Sequence, residues 1–579
     1  MSNPPSRVMI SAPIPAIPRL PLFASKFHPR FVRPPAAQTA PSQGAANQFC
    51  SGAVPSIGTV GATCSTVDLP SRPQITDTRF RSTNHRHQGL PDPLISRRQG
   101  DDVTGPDLRR GDRMTTTTDN PRDTFDRLVR TGPPTRTPTT IDTACVLGGS
   151  IAGLLSARVL ADHARTVMVI ERDEVDGEGR SRAGVPHDRQ QHALLPAGRS
   201  FLDRWLPGFT RQAQERGGVL IGPDRVAYYV GGNEQVRSRG SSILGGTRPF
   251  LESLIRSRVL ALPNVHSISA AATGLEIRDN AVRAVRYHEC GGGKTLDVDF
   301  VVDAMGRSSK VGSWVEQAGY QRPPLERIGA EINYATAMFK RSGDAEQQPV
   351  LGAHAHPADL LRPERPHAFA FPVEGHQWMV LLMEYGDVRP PKTIDAFRSV
   401  CASLPAIFGR AVAGKVTRDV ETYRLADSRR REFIELTRYP SRLVSVGDAV
   451  ASFNPVYGQG MSSAALQASA LSEYLCSSPQ LNSMATGFFE LQSVVVDAAW
   501  AVSAGADAAR LDAINGIEVP DDVRRRRWAL DQVMQAAQID RTLAEASSAV
   551  MAMLAHPSTL SATAIVERAV AVNQQQRRR

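Results

Sequence analysis

The feature that most constrains the fold is a glycine-rich turn between an apolar run and a segment with helical periodicity. Residues 143–147 are apolar enough for a buried strand, and residues 151–160 space their apolar side chains as a helix does. Gly148 lets the chain turn sharply, and Gly153 lets the helix pack closely against the strand. The segment predicts a strand–turn–helix unit whose helix N-terminus binds a pyrophosphate, through Gly148, Gly149, Ser150, Ala152 and Gly153.

One position of this turn departs from the G-x-G-x-x-G pattern, because Ser150 replaces the central glycine. The next apolar run, residues 166–170, ends in Glu171, 23 residues after Gly148. A carboxylate near this offset accepts hydrogen bonds from a ribose and repels a 2′-phosphate, which favours FAD or NAD over NADP. We therefore predict that Glu171 and the adjacent Arg172 bind the adenosine half of a dinucleotide. A glycine turn in an unrelated α/β unit is the alternative.

A second glycine-rich segment lies far downstream. The apolar run 443–446 is followed by Gly447 and Asp448, and then by a loop that leads to a long helix. Ligands of parallel sheets bind beyond the carboxyl ends of the strands, where Asp448 can accept from the hydroxyls of a polyol chain. The helix start offers amides and positive charge to an anionic ring, through Pro455, Gly458, Gly460 and Met461. The two segments together predict FAD, unless Asp448 is an ordinary loop acid.

A third apolar run, residues 300–302, also ends in an acid, Asp303, before a turn at Gly306. With its three motifs in this order, the chain resembles the flavoprotein hydroxylase superfamily with the p-hydroxybenzoate hydroxylase fold. The resemblance covers residues 140–570, and it implies that Asp303 and Gly306 also contact the cofactor.

Three shorter segments are similar to a branch of that superfamily that includes polyether-pathway epoxidases. They are residues 184–192, 248–252 and 453–458. This similarity implies that Arg189 and Arg248 contact the flavin, although each is equally well explained as a surface or helix-start arginine. We interpret His192, in the first of these segments, as a structural histidine.

The resemblance implies a FAD-dependent monooxygenase that inserts one oxygen atom from O2 into an alkene or aromatic small molecule through a C4a-peroxyflavin. Ala304 replaces a glycine of the mid-chain motif, so the electron source is left open between NAD(P)H and a separate flavin reductase. No residue is singled out as a catalytic acid or base. The alternatives are a FAD-dependent reductase of isoprenoid double bonds, similar to geranylgeranyl reductases, and a flavin-binding sensor or scaffold.

The predicted fold class is α/β, with a Rossmann-like FAD-binding domain, an inserted β-rich substrate domain, C-terminal helices and a disordered N-terminal extension. The predicted FAD-binding domain comprises residues 140–225, 298–325 and 436–480, and the substrate domain comprises residues 226–297 and 326–435. The C-terminal helical region is residues 481–579. Four aromatic residues are candidates for lining a substrate pocket or, more commonly, for packing in the core: Tyr228, Tyr229, Phe371 and Trp378.

The predicted disordered extension, residues 1–135, differs in composition from the remainder. Its first 113 residues hold 16 of the 41 prolines and 14 Lys plus Arg against 7 Asp plus Glu, so they carry +7 of the formal net charge of +10. One hypothesis is that translation starts at Met114. The basic charge therefore belongs to the extension and does not indicate nucleic-acid binding.

The six cysteines are scattered without a C-x-x-C pair or a Cys/His cluster, so no metal site is predicted. No apolar stretch is long enough to span a bilayer. We expect a cytoplasmic protein with reduced thiols. Its expected partners are an alkene or aromatic small-molecule substrate, O2 and, as one of the two open electron sources, a flavin reductase.

Overall fold

The computed structural model describes residues 120–135, 137, 141–175, 179–289, 291–343, 347–361, 363 and 365–578. The helices are α1 Pro121–Arg130, α2 Ile151–Leu160, α3 Pro196–Trp205, α4 Phe209–Glu215, α5 Arg248–Val259, α6 Val311–Gln317, α7 Ile394–Ala402, α8 Ala406–Val412, α9 Gly460–Cys476, α10 Thr486–Asn515, α11 Asp521–Ala536, α12 Arg541–Met551 and α13 Thr563–Arg578.

The strands are β1 Ile141–Leu147, β2 Ala164–Glu171, β3 Ala193–Leu194, β4 Val219–Ile221, β5 Val226–Val230, β6 Asn233–Glu234, β7 Ile243–Gly245, β8 Val265–Ser269, β9 Ala271–Arg278, β10 Ala281–Glu289, β11 Gly292–Asp297, β12 Phe300–Asp303, β13 Leu325–Lys340, β14 Gly352–His356, β15 His367–Val373, β16 Gln377–Tyr385, β17 Val416–Arg431, β18 Leu443–Ser445 and β19 Ala451–Ser452. The strand–turn–helix units predicted around both glycine-rich segments are therefore present.

A five-stranded parallel sheet in the order β18-β12-β1-β2-β8 forms the centre of the nucleotide-binding half. Strands β1, β12 and β18 are largely buried, as expected for strands covered on both faces of a sheet. Leu147 at the end of β1 pairs with Asp303 on one side and with Ile170 on the other. Asp303 in turn pairs with Ser445. This register brings the carboxyl ends of four strands to one edge of the sheet, where ligands of such sheets bind.

An eight-stranded sheet in the order β19-β17-β13-β16-β15-β14-β5-β6 forms the second half. One face packs against α7 and α8, through Phe397, Phe408 and neighbouring apolar side chains. The opposite face carries a smaller apolar cluster that packs against Val456, in the loop between β18 and α9. The second sheet therefore presents one face toward the segment predicted to bind the flavin ring.

The structure differs from the predicted domain boundary between residues 226 and 297. β8 joins the parallel sheet beside β2, and side chains of β9 and β10, such as Leu275 and Val285, belong to the same core as β1 and α2. The cause is the crossover through α5, which returns the chain from β5 and β6 of the eight-stranded sheet to the parallel sheet before β13 continues the eight-stranded one. Local sequence patterns do not show which sheet a strand joins.

Helix α1 lies within residues 1–135, which we predicted to be disordered, and for this helix the prediction is wrong. Asn120 caps the helix by accepting a hydrogen bond from the Arg122 amide (3.1 Å), and Phe125 and Leu128 are buried in the main core. Tertiary packing of three apolar side chains stabilises a helix too short to be stable alone. The prediction of disorder for residues 1–113, and the proposed start at Met114, lie outside the described residues.

The C-terminal region is helical, as predicted. Helix α10 contributes Trp500 to the main core and also buries the polar residues Asp507 and Arg510. Helices α11, α12 and α13 form a separate small core around Val533 and Leu543. No helix in the described part of the chain has the length and apolar character needed to cross a membrane.

Candidate active site

The turn between β1 and α2 requires glycine at two positions. Gly148 has a φ of 100°, and a Cβ on it would lie 2.5 Å from the carbonyl oxygen of Ala304. A Cβ on Gly153 would lie 1.8 Å from the carbonyl oxygen of Gly148. Both obstacles are backbone atoms, which cannot swing aside as a flexible side chain can. The steric roles predicted for these glycines are confirmed, and their contact with a pyrophosphate stays a prediction.

Glu171 reaches the glycine-rich turn from the end of β2, as its spacing predicted. Its carboxylate accepts a hydrogen bond from the Gly149 amide at 2.7 Å, and the residue is buried. Arg182 lies 3.1 Å from the same carboxylate oxygen. Arg172, beside Glu171, is largely exposed and lies 3.7 Å from Asp173.

Ser150, the departure from the glycine pattern, connects the turn to α5. Its hydroxyl donates to Glu252 at 2.7 Å and accepts from Arg248 at 2.9 Å. Serine thus provides a cross-link that glycine cannot, while its amide stays at the N-terminus of α2. Glu252 was not among the predicted site residues.

Three arginines surround Glu252 beside the turn. Arg182 lies 2.7 Å and Arg256 3.2 Å from the carboxylate, and Arg248 lies 3.6 Å from it. Burial alone would raise the pKa of Glu252, but Arg248, Arg182 and Ser150 hold that pKa below its ordinary value. The spacing of Arg248, Glu252 and Arg256, four residues apart along α5, is the sequence signal that could have revealed this cluster.

The cluster borders a small, partly open cleft lined by Arg182, Arg248, Glu252 and Arg256 among others. The Nε atoms of Arg248 and Arg256 are buried and have no hydrogen-bond partner among the described residues. Buried donors of this kind require a partner. An anionic group beside the N-terminus of α2 would supply one, because the helix dipole and the guanidinium groups both favour negative charge there.

The second glycine-rich segment, at Gly447, packs directly against the first, at Gly148. Gly447 has a φ of 61°, and a Cβ on it would lie 2.5 Å from the Cβ of Ala152 in the first turn of α2. Asp448 follows at the end of β18, next to the turn that contains Gly306. Burial raises the pKa of Asp448, against the opposing charges of Arg248 and two further arginines, Arg307 and Arg429. The structure therefore brings both halves of the predicted site together.

Asp303 has a different environment from Asp448. It is buried, and its carboxylate accepts hydrogen bonds from the Met305 amide (3.1 Å), Ser309 (2.6 Å) and Ser445 (3.2 Å). Burial raises its pKa, while these hydrogen bonds lower it. These contacts fix the turn at Gly306, and the contact of Asp303 with the cofactor stays a prediction.

The predicted ring-binding segment forms a short 3-10 turn, Pro455–Tyr457, followed by α9. Gly458 closes the turn with a φ of 65°, and α9 begins at Gly460. Asn454 caps the turn by accepting from the Val456 amide at 3.0 Å. Met461, in the first turn of α9, is buried. The segment thus presents a helix N-terminus near the edge of the parallel sheet, as predicted.

Arg189 is directed toward the second sheet. Its guanidinium lies 2.5 Å from Glu421 of β17, and its carbonyl oxygen accepts from Arg418 at 2.6 Å. Among the described residues it has no contact with the turn at Gly148. These contacts explain Arg189 structurally, and its contact with the flavin stays a prediction.

Two histidines of the same segment lie nearer the site. The rings of His187 and His192 are 5.4 Å apart, and His192 contacts the carbonyl oxygen of Gln190. Burial lowers the pKa of His187 to about 4, with Arg248 and Arg307 acting in the same direction. His187 therefore stays neutral near pH 7 and is a site residue that the sequence analysis missed.

All four aromatic candidates lie in or against the core that includes α7 and α8. Tyr228 stacks on His354 with a centroid distance of 4.7 Å, and Phe371 meets the same imidazole edge-on at 5.0 Å. Tyr229 and Trp378 belong to the core that includes α7 and α8. Packing therefore explains all four side chains, and Tyr228 and Phe371 in addition surround the imidazole of His354.

The residues at this edge fit an FAD molecule. The glycines leave no room for side chains between β1, α2 and β18, and the buried Nε of Arg248 has no hydrogen-bond partner among the described residues. Buried arginines suit a diphosphate, and the two carboxylates at strand ends suit the hydroxyls of a ribose and a ribityl chain. No group of three or more His, Cys, Asp or Glu that could hold a metal ion occurs among the described residues.

Comparisons with known proteins agree with this arrangement. A family model described as the FAD binding domain matches residues 141–479. Protein Rv3254 of Mycobacterium tuberculosis is 31% identical over 451 residues, which cover 75% of this chain and 94% of that protein.

Two solved structures share the fold. p-Nitrophenol 4-monooxygenase PnpA from Pseudomonas putida superposes with a TM-score of 0.51 at 19% identity, covering 72% of this chain and 99% of that one. A flavoprotein/dehydrogenase from Cytophaga hutchinsonii superposes with a TM-score of 0.53 at 13% identity, covering 75% and 99%. The predicted α/β fold class and the resemblance to the hydroxylase superfamily are confirmed. The chain belongs to the FAD-binding-domain family of flavin-dependent oxidoreductases.

Proposed function

We propose that the protein is a FAD-dependent monooxygenase that inserts one oxygen atom from O2 into an alkene or aromatic small molecule. The name of the P. putida structure with the same fold, a p-nitrophenol 4-monooxygenase, supports this class of reaction. The main structural support is the face of the eight-stranded sheet that packs on the loop before α9.

That face is rich in aromatic rings next to the predicted ring-binding turn. Tyr334, Phe369, Tyr385 and Tyr423 all belong to the cluster that contacts Val456. A planar substrate between this face and the turn would be in van der Waals contact with aromatic side chains. The same side chains would exclude water from the reacting groups.

Polar atoms without partners lie among these rings. The Tyr334 hydroxyl and the Nε2 atoms of His354 and His367 are buried and have no hydrogen-bond partner among the described residues. Burial lowers the pKa of His354 to about 3, so this imidazole is neutral and can either donate or accept. These groups favour a substrate that carries at least one polar atom, because a pure hydrocarbon would leave them unpaired.

The chain's own residues bind and orient the cofactor. Arg248 and the N-terminus of α2 bind the diphosphate, Glu171 and Asp448 accept from hydroxyls, and the start of α9 offers amides to the ring. Bound and reduced FAD supplies the activation of dioxygen. NAD(P)H or a separate flavin reductase supplies the electrons.

The proposal is tested with the purified full chain, first by its visible absorption spectrum after addition of FAD. Alkenes and phenols are then screened aerobically under 18O2 with NADH, NADPH or an added flavin reductase. We expect substrate-dependent oxygen consumption and one 18O atom in the product. Product that forms only without air, with no label from O2, would replace the proposal by a double-bond reductase.

A variant of the aromatic face tests the placement of the substrate. Tyr334→Phe removes a buried hydroxyl without a partner, so we expect unchanged or slightly higher thermal stability together with weaker substrate binding. The matched control is Tyr287→Phe, in the small sheet formed by β9, β10 and β11. Identical KM values for wild type and Tyr334→Phe would contradict a substrate at this face.

A further inference from the structure

A buried carboxyl on α10 lies beside the ring-binding turn but outside the residues matched by the family model. Asp507 is 1% exposed, and the match to the FAD-binding domain ends at residue 479. Both carboxylate oxygens accept from Asn454, at 3.0 and 3.1 Å. Among the described residues no cation forms an ion pair with it. A buried carboxylate that has only a neutral amide as its hydrogen-bond partner is unusual, because the transfer of its charge from water costs free energy that the amide offsets only in part.

The nearest arginine on the same helix is engaged elsewhere. Arg510 places its guanidinium over the ring of Tyr385, 4.2 Å from the centroid, and donates to the carbonyl oxygen of Ala330 at 3.2 Å. Its Nε is buried without a hydrogen-bond partner. Arg510 is therefore close enough to influence Asp507 electrostatically but does not neutralise it by direct contact.

Asn454 connects this carboxyl to the turn and to the aromatic face. It is 0% exposed, its Oδ1 accepts from the Val456 amide, and its Nδ2 lies 3.2 Å from the Tyr385 hydroxyl as well as near Asp507. A change in the bond between Asp507 and Asn454 therefore acts on Pro455–Tyr457 and on Tyr385 together. The turn leads directly into α9, whose first amides face the predicted ring site.

We propose that Asp507 is a positioning residue of the flavin site, which fixes the turn before α9 through Asn454 and loosens it on protonation. This inference rests on the proposed function of that turn. The ionised carboxylate makes charge-assisted hydrogen bonds to Asn454, which are about twice as strong as neutral ones. The protonated carboxyl makes weaker bonds, so the turn and Tyr385 are held less firmly.

The surroundings of Asp507 place this change near neutral pH. Burial raises the pKa of Asp507 to about 6, while the Asn454 hydrogen bond and Arg510 lower it. The groups that face it from the other elements are Tyr385 of β16, Tyr334 of β13 and Tyr457 of the turn, and burial raises the pKa of all three phenols. His367 of β15 faces Arg510, and burial lowers its pKa. These phenols and this imidazole therefore remain neutral while Asp507 titrates.

The test uses the full chain loaded with FAD and does not depend on turnover. The visible spectrum and the Kd for FAD are measured from pH 5 to pH 8 for wild type and Asp507→Asn. For wild type we expect a spectral shift with a midpoint near pH 6 and roughly five- to tenfold weaker FAD binding on the acid side. In Asp507→Asn both pH dependences should disappear. The matched control, Asp512→Asn, changes a carboxyl of the same helix that pairs with Arg527 at 2.6 Å, and it should behave as wild type.

A third variant keeps the proposal testable if Asp507→Asn does not fold. Asp507→Glu retains a titratable carboxyl, so the shift should persist with a displaced midpoint. Absence of any shift in wild type between pH 5 and 8, or an unchanged shift in Asp507→Asn, would overturn the proposal. Because only bound FAD is observed, failure of oxygen insertion would leave this result standing.

Discussion

The close packing of α2 on β1 makes Gly153→Ala the most informative single substitution. The added Cβ would lie 1.8 Å from the Gly148 carbonyl oxygen and 3.2 Å from Cγ1 of Val146. An unstrained carbon–oxygen contact is roughly 3.3 Å, so the helix and the turn would have to separate by about 1.5 Å. Overpacking of this kind destabilises a fold by about 1–3 kcal/mol, and a backbone obstacle favours the upper end.

The same displacement moves the amides of the turn away from the pyrophosphate. A misplacement of about 1 Å in a preorganised site can lower its reaction rate roughly 100-fold. We expect the affinity for FAD to fall by at least the same factor. The assay is titration of the FAD-free full chain with FAD, followed by flavin fluorescence, together with thermal unfolding by circular dichroism.

Gly409→Ala is the matched control for this substitution. It lies in α8, and a Cβ there meets no atom within 4 Å. The control should bind FAD as wild type does and gain about 0.5–1 kcal/mol of stability, because alanine is the better helix former. If Gly153→Ala binds FAD within about twofold of wild type and unfolds at the same temperature, the steric argument is refuted.

Three further predictions concern charged side chains. Glu252→Gln should destabilise the fold by about 3 kcal/mol near pH 7, because it leaves buried arginines without their partner. Because the pKa of Glu252 is lowered in the folded protein, the stability that its carboxylate contributes is present above its ordinary pKa of roughly 4.3 and is lost as the pH falls. Thermal melts of the variant and of wild type should therefore converge below that pH. The contribution of Asp507 to stability depends on pH in the opposite direction. Its pKa is raised to about 6, so wild type should lose stability as the pH rises from about 4 to 6, and thermal melts of Asp507→Asn should not show this loss. Arg189→Ala should leave the Kd for FAD unchanged, since Arg189 pairs with Glu421, and a tenfold weaker Kd would restore its predicted flavin contact.

Much of the site could be predicted because its determinants are local. Gly148 and Gly153 are required by contacts within one strand–turn–helix unit, and Glu171 reaches the turn because the strand between them has a fixed rise per residue. Asp448 was placed by the same reasoning, since it ends an apolar strand. These patterns extend over a few residues each, so they can be recognised in a single sequence.

Other residues could not be placed because their partners are distant in the chain. Glu252 meets Ser150, 102 residues away, only because α5 packs beside α2. Which face of β16 carries Trp378 depends on the register of a long antiparallel sheet, in which β13 and β17 contain irregularities. A shift of one residue would exchange the two faces.

The sequence by itself determined the two glycine-rich turns, the acids that follow the strands, the FAD-binding fold and the helical C-terminus, because each depends on side-chain size and periodicity within a short segment. The tertiary structure decided the arginine cluster around Glu252, the pairing of Arg189 with Glu421, the entry of β8 into the parallel sheet, and the approach of Asp507 to Asn454. Those contacts depend on how separate elements pack, and packing depends on the sum of many weak interactions across the whole chain.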